Sequence, residues 1–389
     1  MFHVKPMMAN HGFGLYVHWP FCQSKCPYCD FNSHVSASID QNHWQNAYLS
    51  EIERLGQETE GRILDSIYFG GGTPSLMDPS LVAAILAKVR STWRWSNDVE
   101  ITLEANPTSV EAARFTGFRD AGINRVSIGV QALNDEDLRK LGRMHSSAEA
   151  LRAIEIGNSI FSRVNFDLIY ARQNQTLESW QVELSAALCL GSSHLSLYQL
   201  TVEDGTVFQQ RFAKGQLLGL PQEDLAADMF ELTQALCNNA GIPSYEVSNH
   251  ARPGQESRHN LIYWRGGDYV GLGPGAHGRM TVAGQRIATE AIKLPNQWLQ
   301  AVDRSGNGEL PRSKLSGIDA AAEYLMMGLR VKEGVQLSHY AALAGEPINL
   351  LRARDLADLN LLQLDKDTVR TTNAGVLVLN AILRDLLAR

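Results

Sequence analysis

Three cysteines, Cys22, Cys26 and Cys29, crowd into the stretch HWPFCQSKCPYCDFNSH (18–34). Thiols at C-x3-C-x2-C spacing suggest three chemistries. A structural zinc ion needs four closed ligands, a set that His34 could complete. A catalytic thiol needs one cysteine and a base, which leaves two cysteines unused. A 4Fe-4S cluster normally takes four thiolates, so three leave one iron with an open position. Open metal sites are what catalysis uses, and such an iron can chelate an amine and a carboxylate. Spacing and placement favour the cluster. The other two cysteines, Cys189 and Cys237, sit in helical patterns (ELSAALCLG, FELTQALCNNAG) and read as small buried apolar residues.

A scaffold must hold these thiols, and the chain supplies alternating elements. Apolar runs rich in β-branched and aromatic residues occur at 14–20, 65–71, 99–106, 125–131, 163–170 and 194–200, with a weaker one at 244–249. Helical patterns at 79–93, 110–122, 147–158 and 177–191 separate them. That alternation predicts βαβ units and a mostly parallel sheet. The near-continuous hydrophobicity of the runs predicts strands covered on both faces. Six units between residues 14 and 200 predict an α/β fold, a partial (β/α)6 barrel of the TIM type. Polar residues gather at the strand ends: Gly70 to Thr73, Glu104 and Asn106, Gln131, Asp167, Tyr198 and Gln199. In β/α barrels that end carries the site, because the βα loops converge there.

After residue 310 the texture changes. A helix ending at Gly334, two short helical patterns, a hairpin in LLQLDKDTVRTT and a closing helix predict a small C-terminal winged-helix-like α+β module. The expected organisation is an N-terminal extension (1–13), a barrel (14–250), a motif-bearing segment and linker (251–310) and the C-terminal module (311–389). Within the third segment, RHNLIYW (258–264) offers an imidazole, His259, and flat rings, Tyr263 and Trp264. An imidazole can ligate a metal, and the rings can pack on a flat ligand. Arg258 or Arg265 could pair with carboxylates. On the residues alone, simple packing is the favoured explanation of this stretch, and His250 and His277 are rival ligands.

YVHWPFCQSKCPYCDF resembles the cluster motif of the radical SAM superfamily, in the form found in the oxygen-independent coproporphyrinogen III oxidase-like family. The resemblance covers nearly the whole chain. It implies a 4Fe-4S cluster on Cys22, Cys26 and Cys29, with S-adenosylmethionine (SAM) at the open iron. IYFGGGTPS resembles the glycine-rich stretch that contacts SAM, with Gly71, Gly72 and Thr73; glycines let a backbone approach a ligand closely. Glu104, Gln131, Arg143 and Asp167 match the family's polar SAM-binding positions, Arg143 facing the carboxylate. Tyr16 matches a tyrosine near the cluster, although an inward strand tyrosine is an equally good core residue. After FDLIY the chain reads ARQNQT and lacks the family's usual Pro-Gly turn; Asn174 can supply left-handed geometry there.

Within the family, the oxidases carry a further cysteine just after the cluster motif, where this chain has CDFNS. HNLIYW instead resembles the HNxxYW signature of the family's haem-chaperone members. That implies a carrier binding cluster, SAM and haem, with His259 as axial ligand on the iron, Tyr263 and Trp264 against the macrocycle and Arg258 or Arg265 on the propionates. Haem would pass to acceptor proteins, among them membrane-bound respiratory enzymes, and the carrier would form a homodimer. The alternative is a coproporphyrinogen III dehydrogenase that uses a SAM-derived radical for oxidative decarboxylation in porphyrin biosynthesis. Whether the chain is an enzyme stays open at this point.

The bulk numbers agree with either. The 389 residues are 44% hydrophobic and 20% charged, as in globular proteins with large cores. A net charge of −7 argues against a nucleic-acid partner. No stretch reaches the roughly 18 apolar residues of a membrane span. The N-terminus lacks a signal-peptide pattern. A cytoplasmic location follows as the expectation, with peripheral contact at the inner membrane surface implied by the resemblance.

Overall fold

The structure, a computed structural model, describes residues 11–388 other than residue 37. Residues 1–10 of the expected N-terminal extension lie outside the described residues. Six strands follow the predicted runs closely: β1 (Phe13–Trp19), β2 (Ile63–Gly71), β3 (Arg94–Ala105), β4 (Arg125–Gln131), β5 (Arg163–Tyr170) and β6 (His194–Gln199). They pair in parallel in sequence order. The weaker candidate at 244–249 is displaced: the strand there is β7 (Asn249–Ala251), antiparallel to β6.

Residues 251–310 are not a separate linker body. They supply β8 (Asp268–Leu272), which pairs in parallel with β1, and then β9 (His277–Val282) and β10 (Gln285–Glu290). With β11 (Ser313–Lys314) the sheet runs β11-β10-β9-β8-β1-β2-β3-β4-β5-β6-β7. Its two ends do not meet, so the barrel is partial. Sequence patterning missed β8 because DYVGL is short and two-fifths Gly and Asp, both depleted in strands. The helix Pro295–Ser305 ties this segment to the barrel: Trp298 stacks on Trp44 at 5.4 Å between centroids, and Trp44 packs edge-on against Trp19 of β1.

Both strand faces are covered, as expected, but hydrophobicity alternates along the strands rather than running continuously. Leu15, Val17, Ile67, Phe69, Leu103, Val126, Ile128, Phe166, Leu168, Leu195 and Leu197 face the helical layer and are fully buried. Each such side chain contributes about 1.5–3 kcal/mol by leaving water. Positions between them point inward and are polar or glycine. Asn165 donates to Ser127, Ser196 and Asp167 across the lumen, and Arg163 pairs with Glu100. A lumen lined this way is a chamber for polar chemistry.

The ARQNQT loop takes the modified form expected. Ala171 and Asn174 adopt φ of +58° and +59°, which replaces the Pro-Gly turn. Arg172, 3% exposed, is held there by Asp137 (2.8 Å) and Glu183. Removing one partner of a buried ion pair strands the other charge. Arg172→Ala is therefore expected to cost about 3 kcal/mol, read as a lower urea midpoint at unchanged slope.

The C-terminal module carries its own small sheet of Val335–Gln336, Thr368–Thr371 and Leu362–Leu364 in that order. Leu325, Leu329, Val335, Leu356, Val369 and Ile382 form its core. Its first helix ends at Gly328, earlier than expected, and the closing helix breaks at Val378 into two. Gly375 lies against the Leu361 carbonyl, where no side chain fits.

Candidate functional site

The cysteine loop sits at the C-terminal mouth of the barrel, directly after β1. Phe21–Cys22 pairs in parallel with His34–Val35 and closes the loop on itself. The three thiols are half-buried. Thr73 Oγ1 donates to Cys22 Sγ (3.4 Å), and Arg143 Nη1 donates to Cys26 Sγ (3.5 Å). Burial pushes the Cys22 and Cys29 thiols up. His34 Nε2 lies 3.1 Å from Asn32 Oδ1. Among the described residues, no three His, Cys, Asp or Glu side chains gather closely enough for one metal ion. A cluster spans several irons, so its thiolates need not converge on a point.

The glycine stretch after β2 is laced to the strand leading into Cys22. Gly72 N–H donates to Trp19 O (2.7 Å) and Thr73 N–H to Phe21 O (2.8 Å). Gly71 has φ +114°, and a Cβ at Gly72 would come within 2.7 Å of Phe21 O. Only glycine fits here, and the result is bare backbone beside the thiols.

Below this cradle lies an acidic floor. Glu104 Oε1 accepts from the Tyr68 hydroxyl (2.8 Å) and Oε2 from Gly71 N–H (3.2 Å). Burial, with Asp167 nearby, pushes its carboxyl up to about 7. Burial also raises Asp167, which accepts from Asn165 Nδ2 at 2.7 Å. Arg143 Nη2 donates to Asn106 Oδ1 (2.6 Å) and Gly129 O (2.8 Å), while its buried Nε–H has no partner among the described residues. Gln131 closes β4 at φ +74°, a strained geometry for a residue other than glycine. Tyr16 faces the lumen, its hydroxyl 3.0 Å from His18 Nδ1. All eight residues expected at the SAM site thus meet at one mouth.

The RHNLIYW stretch lands elsewhere. It forms a helix, Arg258–Trp264, at the opposite end of the barrel. Ser257 caps it, and Glu100 accepts the N–H groups of Arg258 and His259 (both 3.2 Å). His259 points into the lumen and is 1% exposed. Its Nδ1 lies 2.8 Å from Ser66 Oγ and its Nε2 2.6 Å from the Tyr263 hydroxyl. Burial holds its pKa down to about 3, so it is neutral. Tyr263 packs on Tyr269, and Trp264 lies under the Arg330 guanidinium at 5.7 Å. Neither imidazole nitrogen is open to iron in this arrangement. Of the rivals, His250 is buried and His277 is exposed at the start of β9. The outer face of the helix borders a cleft of about 600 Å³ with His11, Arg258, Arg265 and Tyr324.

Sequence reasoning passed over Tyr68, Ser66 and His18. Each sits two or four residues before the glycines or the cysteine loop, on the inward face of its strand. That spacing was the available signal.

The thiols, the unpartnered Arg143 Nε and the side-chain-free cradle fit a cluster with a zwitterionic ligand beside it. Such a mouth on a partial parallel barrel defines the radical SAM class of fold. Residues 16–183 match the Radical SAM superfamily and residues 315–378 the HemN C-terminal domain. The chain is 37% identical over 397 residues to "Radical S-adenosyl methionine domain-containing protein 1, mitochondrial" of Bos taurus, spanning 99% of this chain and 89% of that protein. It is 37% identical over 378 residues to the heme chaperone HemW of Haemophilus influenzae (95% and 96%) and 36% over 379 to that of Escherichia coli (96% and 98%). Coproporphyrinogen III oxidase (HemN) of Escherichia coli superposes with a TM-score of 0.81 over 97% of this chain and 90% of that one, at 23% identity. That last likeness is one of fold.

The chain belongs to the radical SAM superfamily and, within it, to the oxygen-independent coproporphyrinogen III oxidase-like family. Membership implies a 4Fe-4S cluster and SAM. Among the described residues, no helix is long and apolar enough to cross a membrane.

Proposed function

We propose that this chain is a radical SAM-type haem chaperone. Cys22, Cys26 and Cys29 hold the 4Fe-4S cluster. Tyr16, Gly71, Gly72, Thr73, Glu104, Gln131, Arg143 and Asp167 hold SAM. The protein binds haem and hands it to acceptors, membrane-bound respiratory enzymes among them, from the cytoplasmic side and as a homodimer. The observation that carries this reading is identity above one third to heme chaperones along almost their full length.

When bound, the cluster supplies one iron with an open coordination position. The chain's own residues do the rest of the work at the mouth. Arg143 offers its free Nε–H to a carboxylate. Glu104 and Asp167 offer acceptors to ammonium or hydroxyl groups, and the walls behind them limit water. Of the three candidate histidines, His277 has its ring open to haem iron.

Anaerobic reconstitution followed by haem titration tests the proposal. A Soret band at one haem per chain, transfer of that haem to an apo-acceptor and no carbon dioxide from coproporphyrinogen are expected. Release of carbon dioxide with reductant and SAM, without stable haem binding, would establish the dehydrogenase instead.

A further inference from the structure

The HNLIYW helix lies at the far end of the barrel from the cluster, yet its histidine reaches up the lumen to the SAM floor. We infer that His259 is a positioning residue of the SAM site, acting through Tyr68 on Glu104, and is not a haem ligand. The inference rests on the reading of Glu104 as a SAM contact.

Three near-parallel rings carry it. His259 stacks on Tyr68 with centroids 4.9 Å apart and planes 21° apart. Tyr16 completes the stack, 6.3 Å from each, at 27° to Tyr68 and 30° to His259. Ser66 and Tyr68 lie two apart on β2, hence on one face. The Ser66 hydroxyl grips Nδ1 while the imidazole face supports the Tyr68 ring. That support fixes where the Tyr68 hydroxyl meets Glu104, and Glu104 in turn bonds the Gly71 backbone.

The seat is fitted to the imidazole. β1 has Gly14 beside it, where a Cβ would come within 3.2 Å of His259 Nδ1 and 3.0 Å of Ser66 Oγ. Below, the helix is pinned by Glu100, which also pairs with Arg163. A neutral ring in such a seat adds no charge beneath a cationic ligand. Withdrawing it to meet iron would break both of its hydrogen bonds. Buried groups left unpaired in this way are costly.

The test uses reconstituted full-length protein, with SAM binding by equilibrium dialysis, the SAM-dependent change in the EPR signal of the reduced cluster, and the haem Soret band. His259→Ala is expected to raise the SAM Kd about tenfold, through lost support worth roughly one hydrogen bond. It should also blunt the EPR change and leave the Soret position and haem stoichiometry as in the native chain. Tyr68→Phe, which keeps the ring but not the hydroxyl, should raise the SAM Kd similarly, and the double variant should be less than additive. A His259→Ala protein that loses its Soret band at unchanged SAM Kd overturns the inference. Should His259→Ala fail to fold, His259→Phe decides: retained haem with altered SAM binding supports the inference, and lost haem with unaltered SAM binding sinks it. Failure of the native protein to bind SAM would instead refute the underlying reading.

Discussion

Alanine at Cys22, Cys26 or Cys29 is expected to reduce iron after anaerobic reconstitution from about four per chain to a small fraction of that. The brown chromophore should vanish with it. Three thiolates are the minimum on which a cubane can sit while leaving one corner free, and two cannot hold it at this half-exposed site. SAM binding should fail in the same variants, because the iron that would chelate its amine and carboxylate is gone. Cys189→Ser serves as the control: this thiol is exposed, contrary to the burial expected of it (Cys237 alone is buried), lies outside the loop, and its loss should leave iron content unchanged. Thiols must shed their protons to bind iron. Burial pushes Cys22 and Cys29 up, so cluster assembly should be faster at pH 8.5 than at pH 7. Iron and sulfide analysis with ultraviolet–visible spectra measures all of these. Full iron retention in a single alanine variant would refute the ligand assignment.

The second large effect belongs to Glu104. Replacing it with glutamine keeps the shape, removes the charge and leaves the cluster loop untouched. A hydrogen bond to a charged group contributes about 1.5–3 kcal/mol, so the SAM Kd should rise about 10- to 100-fold. Iron content should stay the same. The pH dependence gives the assignment a signature. The Glu104 carboxyl is raised to about 7 by burial, so its charged form prevails only above that pH. A cationic ligand prefers the carboxylate. SAM affinity of the native protein should therefore weaken as pH falls below 7, approaching tenfold per unit. Glu104→Gln should be flat over the same interval. An equally steep pH profile in the variant would show that some other group titrates.

Much of this was legible because its determinants are local. Six strands fell where β-branched runs were punctuated by glycine and polar ends, and the positions read as SAM contacts came together at one mouth. A βα unit always returns its loop to the same edge, so linear order translates into shared location. The ARQNQT loop could be anticipated too, because asparagine tolerates left-handed backbone without help from distant residues. Less was visible in 251–310. Its strands are short and join the sheet beside β1, and nothing within DYVGL states which neighbour it will take.

The continuous hydrophobicity expected of these strands failed for a similar reason. Stretches such as RVNFDLIY place Arg163, Asn165 and Asp167 at alternate positions, and the apolar residues between and after them dominate a reading along the chain. Hydrogen bonds between Asn165, Ser127 and Ser196 belong to three strands, and no window along the chain contains them together.

From the residues alone came the chemistry of the cysteine loop, since spacing within eight positions is a local property that folding does not rearrange. The sequence likewise determined the parallel order of β1 to β6 and the polar rim they share. The role of His259 was decided in three dimensions. A histidine becomes ligand or pillar according to what occupies its two nitrogens, and here one partner is Ser66, 193 positions away. Such a contact exists only once the helix Arg258–Trp264 has closed the floor of the barrel.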